Sequence, residues 1–265
     1  MAITDFAAFL AELQSPKEIQ PITIATATTV AGRWYDLWVP TQPAGVAPST
    51  AAAPTSTTVG TLGQQDGSTL GLIGARLNAM NPGVYLLIDR LSHQGGLSGI
   101  VTTSQTTNLA TSALTRYTSG VGVMMCLSIY SQIGATGSTV NLTYTDTADA
   151  SQTSPTLVIG GTGFREANRA LMVPLVSGGN GVKSVQSVII NTTSTGTAGN
   201  FGVTLFKPLA VVIVDDVGGV SVADLVTGKF GGGLPTIQNS AALCFMGMSA
   251  GLNLMAGGTF LFSEW

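Results

Sequence analysis

Residues 121–145, VGVMMCLSIYSQIGATGSTVNLTYT, alternate with a period of two. Val121, Val123, Met125, Leu127 and Ile129 share one side of the repeat, and past the glycines Val140, Leu142 and Tyr144 alternate with Thr139, Asn141 and Thr143. A β-strand sends successive side chains to opposite faces, so this pattern predicts two strands, each with one buried and one polar face. The connector Gly134-Ala-Thr-Gly137-Ser offers two positions that tolerate positive φ, and the whole segment reads as a β-hairpin.

The same logic recurs downstream. TLVI (156–159), ALMVPLV (170–176), VKSVQSVII (182–190) and NFGVTLF (200–206) are strand candidates separated by Gly, Asn, Ser and Thr. LAVVIV (209–214) is apolar at every position and predicts a central strand buried on both faces, and VYLLI (84–88) predicts another buried strand. No helix-length pattern interrupts this series, which excludes a parallel βαβ arrangement. The expected fold is mainly β, a jelly-roll-like antiparallel sandwich.

Around that sandwich the chain changes character. Phe6, Phe9, Leu10 and Leu13 follow a helical period behind a Thr4 or Asp5 cap and stop before Pro16, which predicts a short amphipathic N-terminal helix in need of a docking partner. ITIATATTV (22–30) reads as a strand leading to the aromatic anchor Arg33-Trp-Tyr-Asp-Leu-Trp38. From Pro40 to Ser68 the composition turns to Pro, Ala, Thr, Ser and Gly, either a flexible linker or an extended arm laid across something else. Leu72, Ile73, Arg76, Leu77 and Met80 fit a short helix ended by Asn81-Pro-Gly. The expected organisation is an N-terminal helix (1–20), a strand and extended arm (21–69), the sandwich (70–215) and an apolar C-terminal segment (216–265).

No charge occurs between Lys229 and Glu264, and residues 241–262 are long enough to span a bilayer and contain Gly247-x-x-x-Gly251. Gly, Ser, Thr and Asn253 dilute the run and no basic residues flank it, which favours a pair of buried strands or a subunit interface over a membrane span.

Charge content is the odd quantity. Asp, Glu, Lys and Arg make up 9% of the 265 residues, against about 25% in an ordinary soluble domain. A monomer uses charge for solubility and to blunt sheet edges, so the missing charge predicts a surface covered by other subunits. Ten basic and thirteen acidic residues give a net charge of −3 without any Lys/Arg cluster, which excludes nucleic-acid binding through a basic patch. The N-terminal stretch, with Asp5 and Glu12, lacks the pattern of a signal peptide.

Chemistry is hard to find. His93 is the single histidine, and with Cys126 or Cys244 it forms only a nominal base–nucleophile pair with no nucleophile elbow. Both cysteines lie in apolar runs and read as buried free thiols, although one disulfide is possible. Residues 93, 126 and 244 do not have metal-ligand spacing, and Asp215-Asp216, Asp146 and Asp149 read as solvated strand-exit carboxylates. Gly160-Gly-Thr-Gly163 and Thr227-Gly-Lys229-Phe lack phosphate-cradling patterns. No catalytic, cofactor-binding or metal residue is assigned, no cofactor is expected, and the chain is not expected to be an enzyme.

GRWYDLWVPTQPAG (32–45), YLLIDRLSHQGGLSG (85–99), GVKSVQSV (181–188) and GTAGNFGVTLFKPLA (196–210) together resemble virion structural proteins of tailed bacteriophages, of the kind found on the head. The resemblance covers roughly residues 30–215 and carries no reactive signature. It implies a capsid decoration or cement protein that binds a shell protein and itself, with a homotrimer the leading oligomer. The location implied is the virion, assembled in the host cytoplasm. A major shell protein is the alternative, and a membrane-associated or tail component a further one.

Overall fold

The computed structural model describes Ala7 and residues 17–23, 27–28, 30–37, 49–58, 70–109, 114–191, 193–224, 235–251, 253–254 and 256–264. The expected N-terminal helix lies outside the described residues except for Ala7, and the chain is already strand at Lys17.

The strands are β1 (Lys17–Thr23), β2 (Ala27–Thr28), β3 (Arg33–Leu37), β4 (Leu70–Ala79), β5 (Gly83–Leu97), β6 (Gln105–Thr106), β7 (Met124–Ser131), β8 (Ser138–Asp146) and β9 (Ser151–Thr153). They continue as β10 (Leu157–Ile159), β11 (Ala170–Val173), β12 (Val182–Ile190), β13 (Asn200–Val214), β14 (Val220–Asp224), β15 (Thr236–Ile237), β16 (Leu243–Ser249), β17 (Asn253–Leu254) and β18 (Ala256–Glu264). Among the described residues the chain is mainly β, and all the strand pairings are antiparallel.

A six-stranded sheet, β11-β7-β13-β5-β16-β3, forms the base. A second sheet runs β1-β18-β4-β14 with β15 also on β4, a third runs β10-β8-β12-β6 with β9 on β8, and β17 pairs β2. The base sheet shares one apolar core with the second sheet, where Tyr85, Val212 and Phe245 meet Leu72, Leu77 and Phe260. It shares another with the third, where Leu127, Val203 and Ile129 meet Val140, Leu142 and Val188. The 15-residue strands β5 and β13 run through both cores, and Tyr117 packs against each.

Several expectations change. The strands of 121–145 exist, but β7 pairs β11 and β13 while β8 pairs β9, β10 and β12, so they are not a hairpin. Their apolar sides, Met125, Leu127 and Ile129 against Val140, Leu142 and Tyr144, meet across the core from two sheets. Period-two alternation is the same for a hairpin neighbour as for a strand facing across a sandwich, and here the second holds. The other side of β7 is not simply polar either, because Cys126 and Ser128 are buried.

Residues 70–80 form β4 rather than a helix. Gly71, Gly74, Ala75 and Ala79 leave little side chain to pack a helix, while β14, β15 and β18 give both edges of the strand hydrogen-bonding partners. The candidates 200–206 and 209–214 fuse into β13, and only one face of the latter is buried, since Val211 and Ile213 are exposed. The C-terminal run becomes β16 and β18, strands of the base and second sheets; no helix among the described residues is long and apolar enough to cross a membrane. The described part of the Pro/Ala/Thr stretch, 49–58, lies on its own chain, with Ala52 and His93 exchanging two backbone hydrogen bonds of 2.9 Å.

Glycine in the 134–137 loop serves close approach rather than positive φ. A Cβ on Gly134 would sit 1.6 Å from the Thr195 carbonyl oxygen. The buried Thr195 Oγ1 accepts from Gly134 N and donates to Gly99 O, both at 3.0 Å, which ties the segments of Gly99, Gly134 and Thr195 together. Gly134→Ala is expected to lower the unfolding free energy by about 1–3 kcal/mol, read as a reduced urea midpoint. An unchanged midpoint would show that the loop is not packed as described.

Candidate functional site

Asp89 and Arg90 are consecutive in β5, so their side chains leave the strand on opposite faces. Both are fully buried. Arg116 grips Asp89 with two bonds, Nε to Oδ2 and Nη2 to Oδ1, each 2.8 Å, and Ala242 N adds a third at 2.9 Å. Burial pushes the Asp89 carboxyl up from its ordinary range, and Arg116 opposes that shift. The same guanidinium donates to Pro54 O and Arg90 O, both at 2.9 Å, tying segment 49–58 to the strand. On the other face Arg90 donates from Nη1 to Asp36 Oδ2 at 2.9 Å and from Nη2 to Oδ1 at 2.5 Å, fastening β5 to β3 across β16.

From Asp36 a polar chain continues through the base sheet. Ser128 Oγ donates to Asp36 Oδ2 at 2.9 Å and lies 3.0 Å from Thr204 Oγ1. Thr204 Oγ1 is 2.9 Å from His93 Nδ1, and His93 Nε2 is 2.6 Å from the Tyr130 hydroxyl, with the two rings edge to face at 5.4 Å. Register assembles the group, since Cys126 of β7 lies opposite Thr204 of β13, which lies opposite His93 of β5. An irregularity in the β5–β13 pairing between Leu205 and Phe206 leaves Leu91 as an extra residue and returns Arg90 to the face of His93.

The chemistry available here is limited by burial. Loss of solvent, with the charge of Arg90 second, drives the His93 imidazole well below its ordinary pKa and leaves it neutral. Burial pushes the Cys126 thiol up to about 12, with Asp36 adding to the shift, and raises Cys244 as well. Both thiols are free and buried, with Cys126 Sγ 3.7 Å from Ser128 Oγ and Cys244 Sγ donating to Ala242 O at 3.4 Å. A thiolate nucleophile needs a depressed pKa and a route for substrate, and this cluster has neither feature. His93 and Cys126 reach the same interior polar network, one through Thr204 and the other through Ser128, while Cys244 lies beside Arg90.

The remaining candidates close turns. Asp146 accepts from Ala148 N at 2.8 Å and Ala150 N at 3.0 Å, and the Gln152 amide together with these N–H groups holds its carboxyl below the ordinary value. Asp149 pairs with Lys183 at 2.8 Å, and Asp215 and Asp216 are exposed in the β13–β14 turn. Gly163 N donates to Glu166 Oε1 at 2.6 Å within a turn, and residues 227–230 lie outside the described residues. Among the described residues no three His, Cys, Asp or Glu side chains gather as a metal site.

The surface has a more pointed feature. Val211, Ile213, Val217, Val220 and Val222, exposed by 51, 54, 71, 49 and 70%, all lie on the consecutive strands β13 and β14 and the turn between them, the two strands pairing with β5 and β4 in different sheets. Two physical causes produce it. β7 stops pairing with β13 at Phe206, and β14 is the last strand of its sheet. Val211 and Ile213 also stand opposite Leu86 and Val84 of β5, both only partly buried, so the apolar surface continues onto the base sheet. Pro208, which has no N–H for a neighbouring strand, was the sequence signal that this part of β13 has an open edge.

No protein family and no curated protein matches the chain. A solved structure of infectious bursal disease virus, Gt strain, aligns at 12% identity with a TM-score of 0.13, covering 94% of this chain and 42% of that one, a likeness too weak to bear on the fold.

Two outcomes follow from the buried network. Neither thiol is expected to react with a disulfide reagent in the native protein at pH 8, and both react in denaturant; fast native labelling would contradict the burial of Cys126 and Cys244. Arg116→Met strands the Asp89 carboxylate and is expected to cost about 3–5 kcal/mol by chemical denaturation. Adding Asp89→Asn recovers part of that loss, because the uncompensated charge is then gone.

Proposed function

We propose that the protein is a structural component of a bacteriophage virion, a decoration or cement protein that works as a homo-oligomer, a trimer by preference, on the outside of a capsid shell. The observation that carries this reading is the segment formed by the end of β13, the turn after it and β14, which sets five exposed branched aliphatic side chains within residues 211–222. Monomers seldom leave such a surface in water, and where one occurs it commonly marks a contact. The charge content of 9% supports the same reading, because so few charged side chains leave solubility and edge protection to neighbouring subunits. Within this reading the sandwich is of the jelly-roll kind, and the protein contributes binding surface rather than turnover.

Light scattering coupled to size exclusion tests the assembly directly. A discrete species of about three subunits is expected for the full chain, and it should bind preformed shells. The exposed pair Val220→Lys/Val222→Lys is expected to shift the mass to monomer while changing thermal stability by no more than about 0.5 kcal/mol. A wild-type monomer overturns the proposal, and megadalton particles make this a shell protein instead.

A further inference from the structure

Counting hydrogens along the polar chain assigns a direction to it. Ser128 has one hydroxyl hydrogen, and it goes to Asp36 Oδ2. The 3.0 Å contact between Ser128 and Thr204 therefore holds a hydrogen only if Thr204 supplies it. Thr204 then has none left for His93 Nδ1 at 2.9 Å, so Nδ1 must carry the proton and donate. That leaves Nε2 as an acceptor, filled by the Tyr130 hydroxyl at 2.6 Å. In this order each of these four contacts contains one hydrogen, with its donor pointing toward the carboxylate; Arg90 Nη1 donates to the remaining lone pair of Thr204 Oγ1 at 3.4 Å, and the Tyr130 hydroxyl also stands 3.2 Å from Nδ1. The opposite tautomer sets two oxygen lone pairs against each other between Thr204 and Ser128.

We propose that this one-way chain is an acid-sensitive latch: a proton on His93 Nε2 would force the Tyr130 hydroxyl to accept and turn its own hydrogen away, and would set a second cation beside Arg90, so acid favours the state in which β5 has let go of β3, β7 and β13. The imidazole meets Arg90 on its own strand, Tyr130 from β7 and Thr204 from β13, and the titratable groups that act in turn on Arg90 and Tyr130 are Asp36 from β3, Cys126 from β7 and Cys244 from β16. Asp36 is already engaged by both Arg90 nitrogens and by Ser128, so it is poorly placed to compensate a new charge. The backbone on either side of the ring is also held, through Ala52.

The sign of the pH dependence follows. The folded imidazole resists protonation well below the ordinary 6.5, whereas the unfolded chain takes up its proton there. The stabilisation is thus complete above about pH 6.5 and is lost as pH falls through it. Because the chain has one histidine, this linkage is a single-proton effect that precedes titration of most carboxylates.

The test combines imidazole nitrogen NMR with denaturation of the full chain between pH 7.5 and 5. The expected results are a native His93 that stays neutral with Nδ1 protonated, and an unfolding constant that rises toward tenfold per pH unit below about 6.5. His93→Gln is expected to flatten that slope. Tyr130→Phe, which keeps the imidazole but removes the hydroxyl that a protonated Nε2 would donate to, is expected to leave native His93 neutral and the slope unchanged. An imidazole that titrates near its ordinary value in the native protein, a native Nε2-protonated tautomer, or a flat wild-type profile would overturn the latch. The NMR measurement needs no variant to fold.

Discussion

The fold depends on two ion pairs set back to back through a single strand. Asp89 holds Arg116, and Arg90 holds Asp36, with the β5 backbone between them. Buried pairs of this sort contribute little net stability over apolar residues of the same shape, yet losing one partner is expensive. Their effect is therefore on register: a one-residue slip of β5 would exchange the two faces and leave four buried charges mispartnered. A chain with ten basic and thirteen acidic side chains places four of them here, which makes the cross-strand alignment the most strongly specified part of the molecule.

This explains what could be read from residues and what could not. β8, with burial alternating along Val140, Leu142 and Tyr144, and β12, with Val182, Val185 and Val188 facing inward, announce themselves because one face meets the core and the other does not. β4 misleads because its first six residues are buried without alternation, so the spacing of Leu72, Ile73, Arg76 and Leu77 imitates a helix. β7 and β8 imitate a hairpin because alternation reports which face is buried and not which strand is adjacent. The polar network is the least legible part. Asp36 and Arg90 are 54 residues apart and Asp89 and Arg116 are 27 apart, distances at which no local pattern operates. The available clue was physical: Asp-Arg inside the apolar run VYLLIDRL demands buried partners on both sides.

The interior and the surface then divide the roles. Inside, His93, Tyr130, Thr204, Ser128 and Asp36 are connected hydrogen bond by hydrogen bond, and the neighbouring thiols stay protonated, which suits a scaffold. Outside, the valine-rich segment from the end of β13 through β14 is where the second sheet ends and where β13 has outrun β7. The polar network and the exposed apolar segment share β13, so those side chains are carried by a strand that pairs with β5 along its length.

The pairing of β5 with β13 also sets the order in which the molecule can form. Residues 83–97 must find residues 200–214, and β16 and β18, within 243–264, enter two different sheets between strands from the first hundred residues. Such non-local closure carries a large loop entropy before any contact repays it, which places folding in the slow, millisecond-to-second regime typical of β topologies. Until the C-terminal strands arrive, β3 and β5 stand apart and the lower half of the core lies open. The interval during which this chain most needs protection from self-association is thus the time before its last strands dock, and the apolar character of 241–262 is what makes that docking worth waiting for.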